Sequence, residues 1–169
     1  CLLSRSSVSL NPTLYKNLSY DPLKDFEPIT NLAFAHQVLI LNKNVPVKDF
    51  KELVAYSKQN PDKLNFGSFG ANTSGGLATE MIKLLGKVDV LHVPFNGGAP
   101  ATQALLGGTV DLSFDTVVTA LGNVKAGKLV PLAVSGAKRT TLAPHLPTVA
   151  ETLPGFEADS WTGLMAPAG

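Results

Sequence analysis

Strand-like and helix-like segments alternate along most of this chain, and that alternation limits its fold more than any other feature. Val47-Lys48-Asp49 leads into apolar residues at Phe50, Leu53 and Val54, with Ser57 completing the i, i+3, i+4, i+7 spacing of a helix face. Asn60-Pro61-Asp62 stops that helix, and residues 64–67 read as a short strand. Leu77, Met81, Leu84 and Leu85 form a second helical stripe, ended by Gly86. A strand over 88–93, a helix over 100–106, a strand over 110–114, a helix over 117–126 and a strand over 129–134 follow. Repeated strand–helix units of this length predict right-handed crossovers and an α/β fold: a mostly parallel sheet with helices on both faces.

The flanks differ. Residues 1–3 read as the tail of a strand, Asn11-Pro12 and Asp21-Pro22 as helical starts, and 29–32, 37–41 and 161–166 as strands. The segment 136–157 is loop-rich, punctuated by Pro144, Pro147 and Pro154. A compact unit over 36–159 is therefore expected, with extended pieces at 1–35 and 160–169 too short to bury a second core.

Charge and composition exclude several functions. Lys plus Arg number 14 against 13 Asp plus Glu, a net charge of +1, so no field gathers nucleic acid and no such partner is expected. A 44% apolar content argues against disorder. No apolar run approaches the ~18 residues needed to cross a bilayer, so a soluble chain is expected. Cys1 is the one cysteine and has no partner for an intramolecular disulfide. His36, His92 and His145 have no metal-ligand spacing, so neither a metal nor a cofactor is expected.

In a parallel sheet, ligands bind where strands end and helices begin. Three loops take that position. In Gly67-Ser68-Phe69-Gly70-Ala71-Asn72-Thr73-Ser74-Gly75-Gly76, small residues let the backbone approach a ligand, and Asn72, Thr73 or Ser74 would cap the next helix. The free N–H groups of such a helix suit a carboxylate without any Lys or Arg. Pro94-Phe95-Asn96-Gly97-Gly98-Ala99-Pro100 repeats the design, and the two helix starts are expected to converge on one cleft. Asp115, after the strand over 110–114, either caps a helix or accepts from a ligand. Each loop taken alone also reads as plain capping.

Other constellations are weaker. Neither GxGxxG nor GxxxxGK[ST] occurs, which disfavours nucleotides. Ser68, His92 and Asp115 could be drawn as a triad, but no GxSxG elbow supports it. Lys138-Arg139 reads as a solvated turn.

An ordered set of motifs carries a family likeness: Asn11-Pro12-Thr13-Leu14-Tyr15, Tyr20-Asp21-Pro22-Leu23-Lys24-Asp25-Phe26, Leu64-Asn65-Phe66-Gly67-Ser68 and His92-Val93-Pro94-Phe95-Asn96-Gly97. Leu106-Gly107-Gly108, Val124-Lys125-Ala126-Gly127-Lys128-Leu129 and Pro147-Thr148-Val149-Ala150-Glu151 follow, then Ser160-Trp161-Thr162-Gly163-Leu164-Met165-Ala166-Pro167-Ala168-Gly169. Over essentially its whole length the chain resembles the Bug (Bordetella uptake gene) family, periplasmic receptors of tripartite tricarboxylate transporters.

The resemblance implies a type II periplasmic binding fold, two α/β lobes closing on an organic acid. Members of that family take dicarboxylates, tricarboxylates, acidic amino acids or aromatic acids and deliver them to a membrane permease. The AxGGxxD loop of the family's first lobe and its C-terminal helical segment have no match here. The chain therefore looks like a second lobe, 36–159, with a hinge crossover and remnant at 1–35 and a return strand at 160–169. Cys1-Leu2-Leu3 aligns with an interior strand, which argues against a lipid anchor.

Carried over, the site would comprise Phe69, Gly70, Ala71, Asn72, Thr73 and Ser74, then Asn96, Gly97, Gly98 and Ala99, with Asp115 and, on the hinge side, Ser9. Asn72 to Ser74 would hold one carboxylate, and Asn96 to Ala99 an ordered water or second polar group. Asp115 would select for an amine or hydroxyl, because it repels an uncompensated carboxylate.

A periplasmic binding protein without catalysis is the leading reading. The alternatives are the effector domain of a LysR-type transcription regulator and a small α/β hydrolase using Ser68 or Ser74. Half of a two-lobed site is expected to bind in the millimolar range or weaker, about −4 kcal/mol at best. Self-association through the exposed flanks is expected as well.

Overall fold

A computed structural model describes residues Cys1–Gly169. Eight strands form two sheets. The smaller joins β1 (Leu2–Ser4), β8 (Ser160–Pro167) and β2 (Phe26–Ala35), antiparallel in the order β1-β8-β2. The larger comprises β3 (Gln37–Asn42), β4 (Asn65–Ser68), β5 (Leu91–Pro94), β6 (Leu112–Thr116) and β7 (Leu129–Val134) in the order β5-β4-β6-β3-β7. Its helices are α2 (Phe50–Gln59), α3 (Ser74–Gly86), α4 (Gly98–Leu106) and α5 (Val117–Lys125), while the short α1 (Asn11–Leu14) precedes β2.

The direction of β3 follows from where the chain joins the large sheet. Only His36 separates β2 from β3, and Gln37 pairs with Thr116 at the end of β6. The chain thus arrives at the carboxyl ends of the other strands, and its first strand must run away from them. β3 is accordingly antiparallel to β6 and β7, whereas β4 is parallel to β5 and β6. Four strands share one direction, as the alternation predicts, and a single reversed strand makes the sheet mixed.

Every residue of β3 is buried, and its side chains alternate between two cores. Leu39 and Leu41 join Leu53 of α2 and Ile82 of α3, while Val38 and Ile40 join Leu105 of α4 and Ala120 of α5. Helices therefore cover both faces. Phe156, from the loop-rich segment, stacks on Phe114 with ring centroids 6.2 Å apart, and Phe114 contacts Phe66 at 5.7 Å. That segment is a packed cover rather than a loose loop.

Local chemistry explains the boundaries. Asp49 Oδ1 accepts the Glu52 N–H at 2.8 Å and Glu52 Oε2 accepts the Lys48 N–H at 2.8 Å, a reciprocal cap that starts α2 where the sequence places it. β6 begins two residues later than predicted because the Val110 N–H is still bonded to Ala104 O at the end of α4. β5 begins later as well: Val88 and Val90 are buried, yet ladder pairing starts only at Leu91. Asp21-Pro22 forms a turn instead of a helix, and residues Ser6–Leu10 make a wide helical turn before α1.

Candidate functional site

The strands β4 and β5 each end in a turn leading to a helix, and β6 runs directly into α5. After β4, Thr73 caps α3: its hydroxyl donates to Gly70 O at 2.7 Å and accepts the Gly76 N–H at 3.2 Å. The loop folds back so closely that a Cβ on Gly76 would lie 2.4 Å from Ala71 O, which demands glycine there. Asn72 donates its side-chain amide to the Tyr15 hydroxyl. The polar side chains of Asn72 and Thr73 are thus engaged, and the donors left at this helix start are the Ser74 and Gly75 N–H groups.

After β5 the arrangement differs. Gly97, at φ +107, is the residue before α4, and no side chain caps the helix. Pro100 has no N–H, so Gly98 and Ala99 present the free donors of the first turn. At the end of β6, Asp115 Oδ1 accepts the Thr116 N–H at 2.6 Å and the Thr119 hydroxyl at 2.5 Å, and Thr116 caps α5. Asp115 Oδ2 accepts no bond from the protein.

The largest hollow, about 450 Å³, lies among these ends and is lined by Phe69, Gly98, Ala99, Thr102, Gln103, Asp115, Thr116, Thr119 and Asn123. No Lys or Arg lines it, so an acid group entering here meets amide and hydroxyl donors rather than a cation. The Phe69 ring packs against the first turn of α4, within 3.5 Å of the position a Gly98 Cβ would take.

Of the residues singled out from sequence, Phe69, Gly98, Ala99 and Asp115 line this hollow. Gly70, Ala71, Asn72, Thr73 and Ser74 continue the β4 loop beside it, and Asn96 and Gly97 lead into α4, none of them on its wall. Ser9 is exposed in the N-terminal turn and lies outside it. The hollow lies between the starts of α4 and α5, and the β4 loop contributes Phe69 to its wall. α3 packs in the core of one sheet face, and α4 and α5 in the core of the other. Thr102, Gln103, Thr116, Thr119 and Asn123 were missed, although Thr116, the cap of α5, stands at helical spacing with Thr119 and Asn123 on that helix.

Two further expectations change. Ser68 does meet His92, Oγ to Nε2 at 2.6 Å, but the third partner is Glu80 at 3.1 Å and not Asp115, which bonds Thr116 and Thr119. Arg139 stays exposed in its turn but is not free: it makes a two-pronged pair with Glu151 at 2.9 and 2.8 Å.

A five-stranded α/β unit with one reversed strand and a polar hollow at the ends of its parallel strands is the architecture of the periplasmic-binding-protein fold. The profile of the tripartite tricarboxylate transporter family receptors matches residues 1–169, and the chain belongs to that family. It is 33% identical to the UPF0065 protein in the tcbD-tcbE intergenic region of Pseudomonas sp. (strain P51), over 99% of this chain and 51% of that protein. Its structure is similar to that of R. palustris Rpa4515 with adipate, with TM-score 0.90 and 34% identity over 99% of this chain and 56% of that one. It is also similar to MatC (Rpa3494) from Rhodopseudomonas palustris with bound malate, with TM-score 0.86 and 34% identity over 99% and 57%. The chain spans about half the length of the curated relatives it matches. No helix is long and apolar enough to cross a membrane.

Proposed function

We propose that this chain supplies the second lobe, 36–159, of a periplasmic receptor that captures a small organic carboxylate and passes it to the permease of a tripartite tricarboxylate transporter. Residues 1–35 and 160–169 serve as hinge crossovers toward a first lobe. The observation that carries this reading is the uncapped start of α4, which opens the Gly98 and Ala99 N–H groups to a hollow free of side-chain cations. α3 and α5 are both capped by threonine side chains, so of the two helix starts that line the hollow only that of α4 is uncapped.

One ligand carboxylate rests on the Gly98 and Ala99 amides, assisted by the Thr102 hydroxyl. Asp115 Oδ2 takes a hydroxyl or ammonium donor from the ligand. Ser74 and Gly75, with Asn96 and Gly97, hold polar groups or water at the rim once a first lobe closes over it. No catalytic step is assigned. The family match and the adipate and malate held by two similar proteins favour the receptor over a regulator effector domain or a hydrolase.

Nuclear magnetic resonance titration of the 169-residue chain with malate tests this. Shift changes should concentrate on Gly98, Ala99, Thr102, Asp115 and Thr119, with half-saturation in the millimolar range, about −4 kcal/mol. Changes scattered over the surface, or micromolar binding by this single lobe, would refute the half-site reading.

A further inference from the structure

At the end of β4 a serine, a histidine and a glutamate stand in line. Ser68 Oγ lies 2.6 Å from His92 Nε2, and His92 Nδ1 lies 3.1 Å from Glu80 Oε1. They come from three elements: β4, β5 and α3. An ionised carboxylate only accepts, so Nδ1 carries the ring proton. In the neutral ring Nε2 then carries the lone pair, and the Ser68 hydroxyl donates to it. That fixes the hydroxyl oxygen, which accepts the Gly70 N–H at 3.4 Å.

The order of groups is that of a hydrolytic triad, but Ser68 is only 1% exposed, and a substrate carbonyl cannot reach its oxygen. What the line does reach is the loop that follows β4. That loop carries Phe69 into the hollow and Thr73 to the start of α3.

We propose that His92 is a positioning residue of the ligand site: oriented by Glu80, it holds the Ser68 hydroxyl in the one direction that anchors Gly70 and so sets the course of the loop from Phe69 to Thr73. Glu80 in turn shares its other oxygen with Lys83 Nζ at 3.5 Å. The Glu80 end lies open and the Ser68 end is sealed, so the carboxylate can be altered without opening the core. The proposal rests on the receptor reading only for what the loop serves.

Long-range proton–nitrogen spectra of the labelled chain at neutral pH test the wiring. His92 should carry its proton on Nδ1, with Nε2 unprotonated. Glu80→Gln should move the ring toward the Nε2-protonated form. It should also speed hydrogen exchange at the Gly70 amide about fivefold, what one weak hydrogen bond is worth. Ser68→Ala should speed that exchange by a similar factor while leaving the ring proton on Nδ1, because Glu80 still sets it. Should Ser68→Ala fail to fold, Glu80→Gln at its open position decides.

Three results would overturn the proposal: an Nε2-protonated His92 in the unaltered chain, unchanged Gly70 exchange in the folded variants, or turnover of p-nitrophenyl acetate that Ser68→Ala abolishes. None of these readouts uses a carboxylate ligand, so failure here and failure of the receptor reading are separate outcomes.

Discussion

His36 Nδ1 faces Asp159 Oδ2 across 2.8 Å, joining the two points where the chain crosses between its sheets. His36 is the single residue between β2 and β3, and Asp159 immediately precedes β8. The other Asp159 oxygen accepts the Ser135 hydroxyl at 2.7 Å, and Ser135 Oγ accepts the Gln37 N–H at 3.0 Å. Arg5 donates to the Asp159 carbonyl as well. One carboxylate therefore ties both crossovers to the strands they leave. Asp159→Ala strands Ser135 and His36 and should cost about 1–3 kcal/mol in urea unfolding. Asp159→Asn keeps an acceptor for Ser135 and should cost less. Equal stability of the three proteins would show that the crossovers are held by their sheets alone.

How far the sequence discloses this architecture depends on how local each cause is. The start of α2 is readable because Asp49 and Glu52 cap it within four residues. β7 is readable at both ends, its apolar run lying between the Gly127 turn and Ser135. β2 is not: ten residues long and largely exposed, it exists because β8 pairs with it from more than a hundred residues away. The same division runs through the site. Phe69, Gly98 and Ala99 follow strands and Asp115 stands at the end of one, so all four are found by position. Thr102, Gln103 and Asn123 face the hollow only because α4 and α5 pack on the same sheet face, which is decided by crossover geometry. Glu80 meets His92 for a similar reason, since α3 returns its own face beside β5.

Asp115 should discriminate between acids that differ by one hydroxyl. Its Oδ1 is engaged by Thr116 and Thr119, and its free Oδ2 repels a carboxylate while accepting a donor. Malate offers a hydroxyl where succinate has none. In parallel resonance titrations the unaltered chain should favour malate, and Asp115→Asn should narrow or reverse that preference by improving succinate. An unchanged ratio would remove Asp115 from the specificity of the hollow.

Acid should weaken the cover formed by the loop-rich segment, and the Arg139–Glu151 pair makes the effect traceable. The Arg139 guanidinium, first, and the Thr148 N–H, second, pull the Glu151 carboxyl from 4.5 down to about 2. A carboxyl held low in the folded chain stabilises the fold fully above its unfolded value, and that contribution fades as pH falls from 4.5 toward about 2. Because the pair is exposed, the effect is small and screened by salt. Glu151→Gln should flatten this part of the stability–pH curve, with added salt reducing the difference between the two proteins. Superimposable curves from pH 4.5 to 2 would mean that the pair contributes nothing.

Gly97 tests whether the start of α4 itself holds the ligand. Its φ of +107 lies where side-chain-bearing residues are strained, yet no atom lies within 4 Å of the position a Cβ would occupy. Gly97→Ala therefore meets no steric clash, and its whole effect comes from the backbone. Relaxation of the turn would swing the Gly98 and Ala99 N–H groups away from the hollow at a cost of about 1–3 kcal/mol in stability. The cores around Phe66 and Ile40 lie elsewhere in the lobe, so the protein should remain folded. The expected result is a folded chain whose malate-induced shifts at Gly98 and Ala99 are lost while Thr119 keeps its resonance position. If the variant binds malate as the unaltered chain does, the acid group is held by something other than these amides.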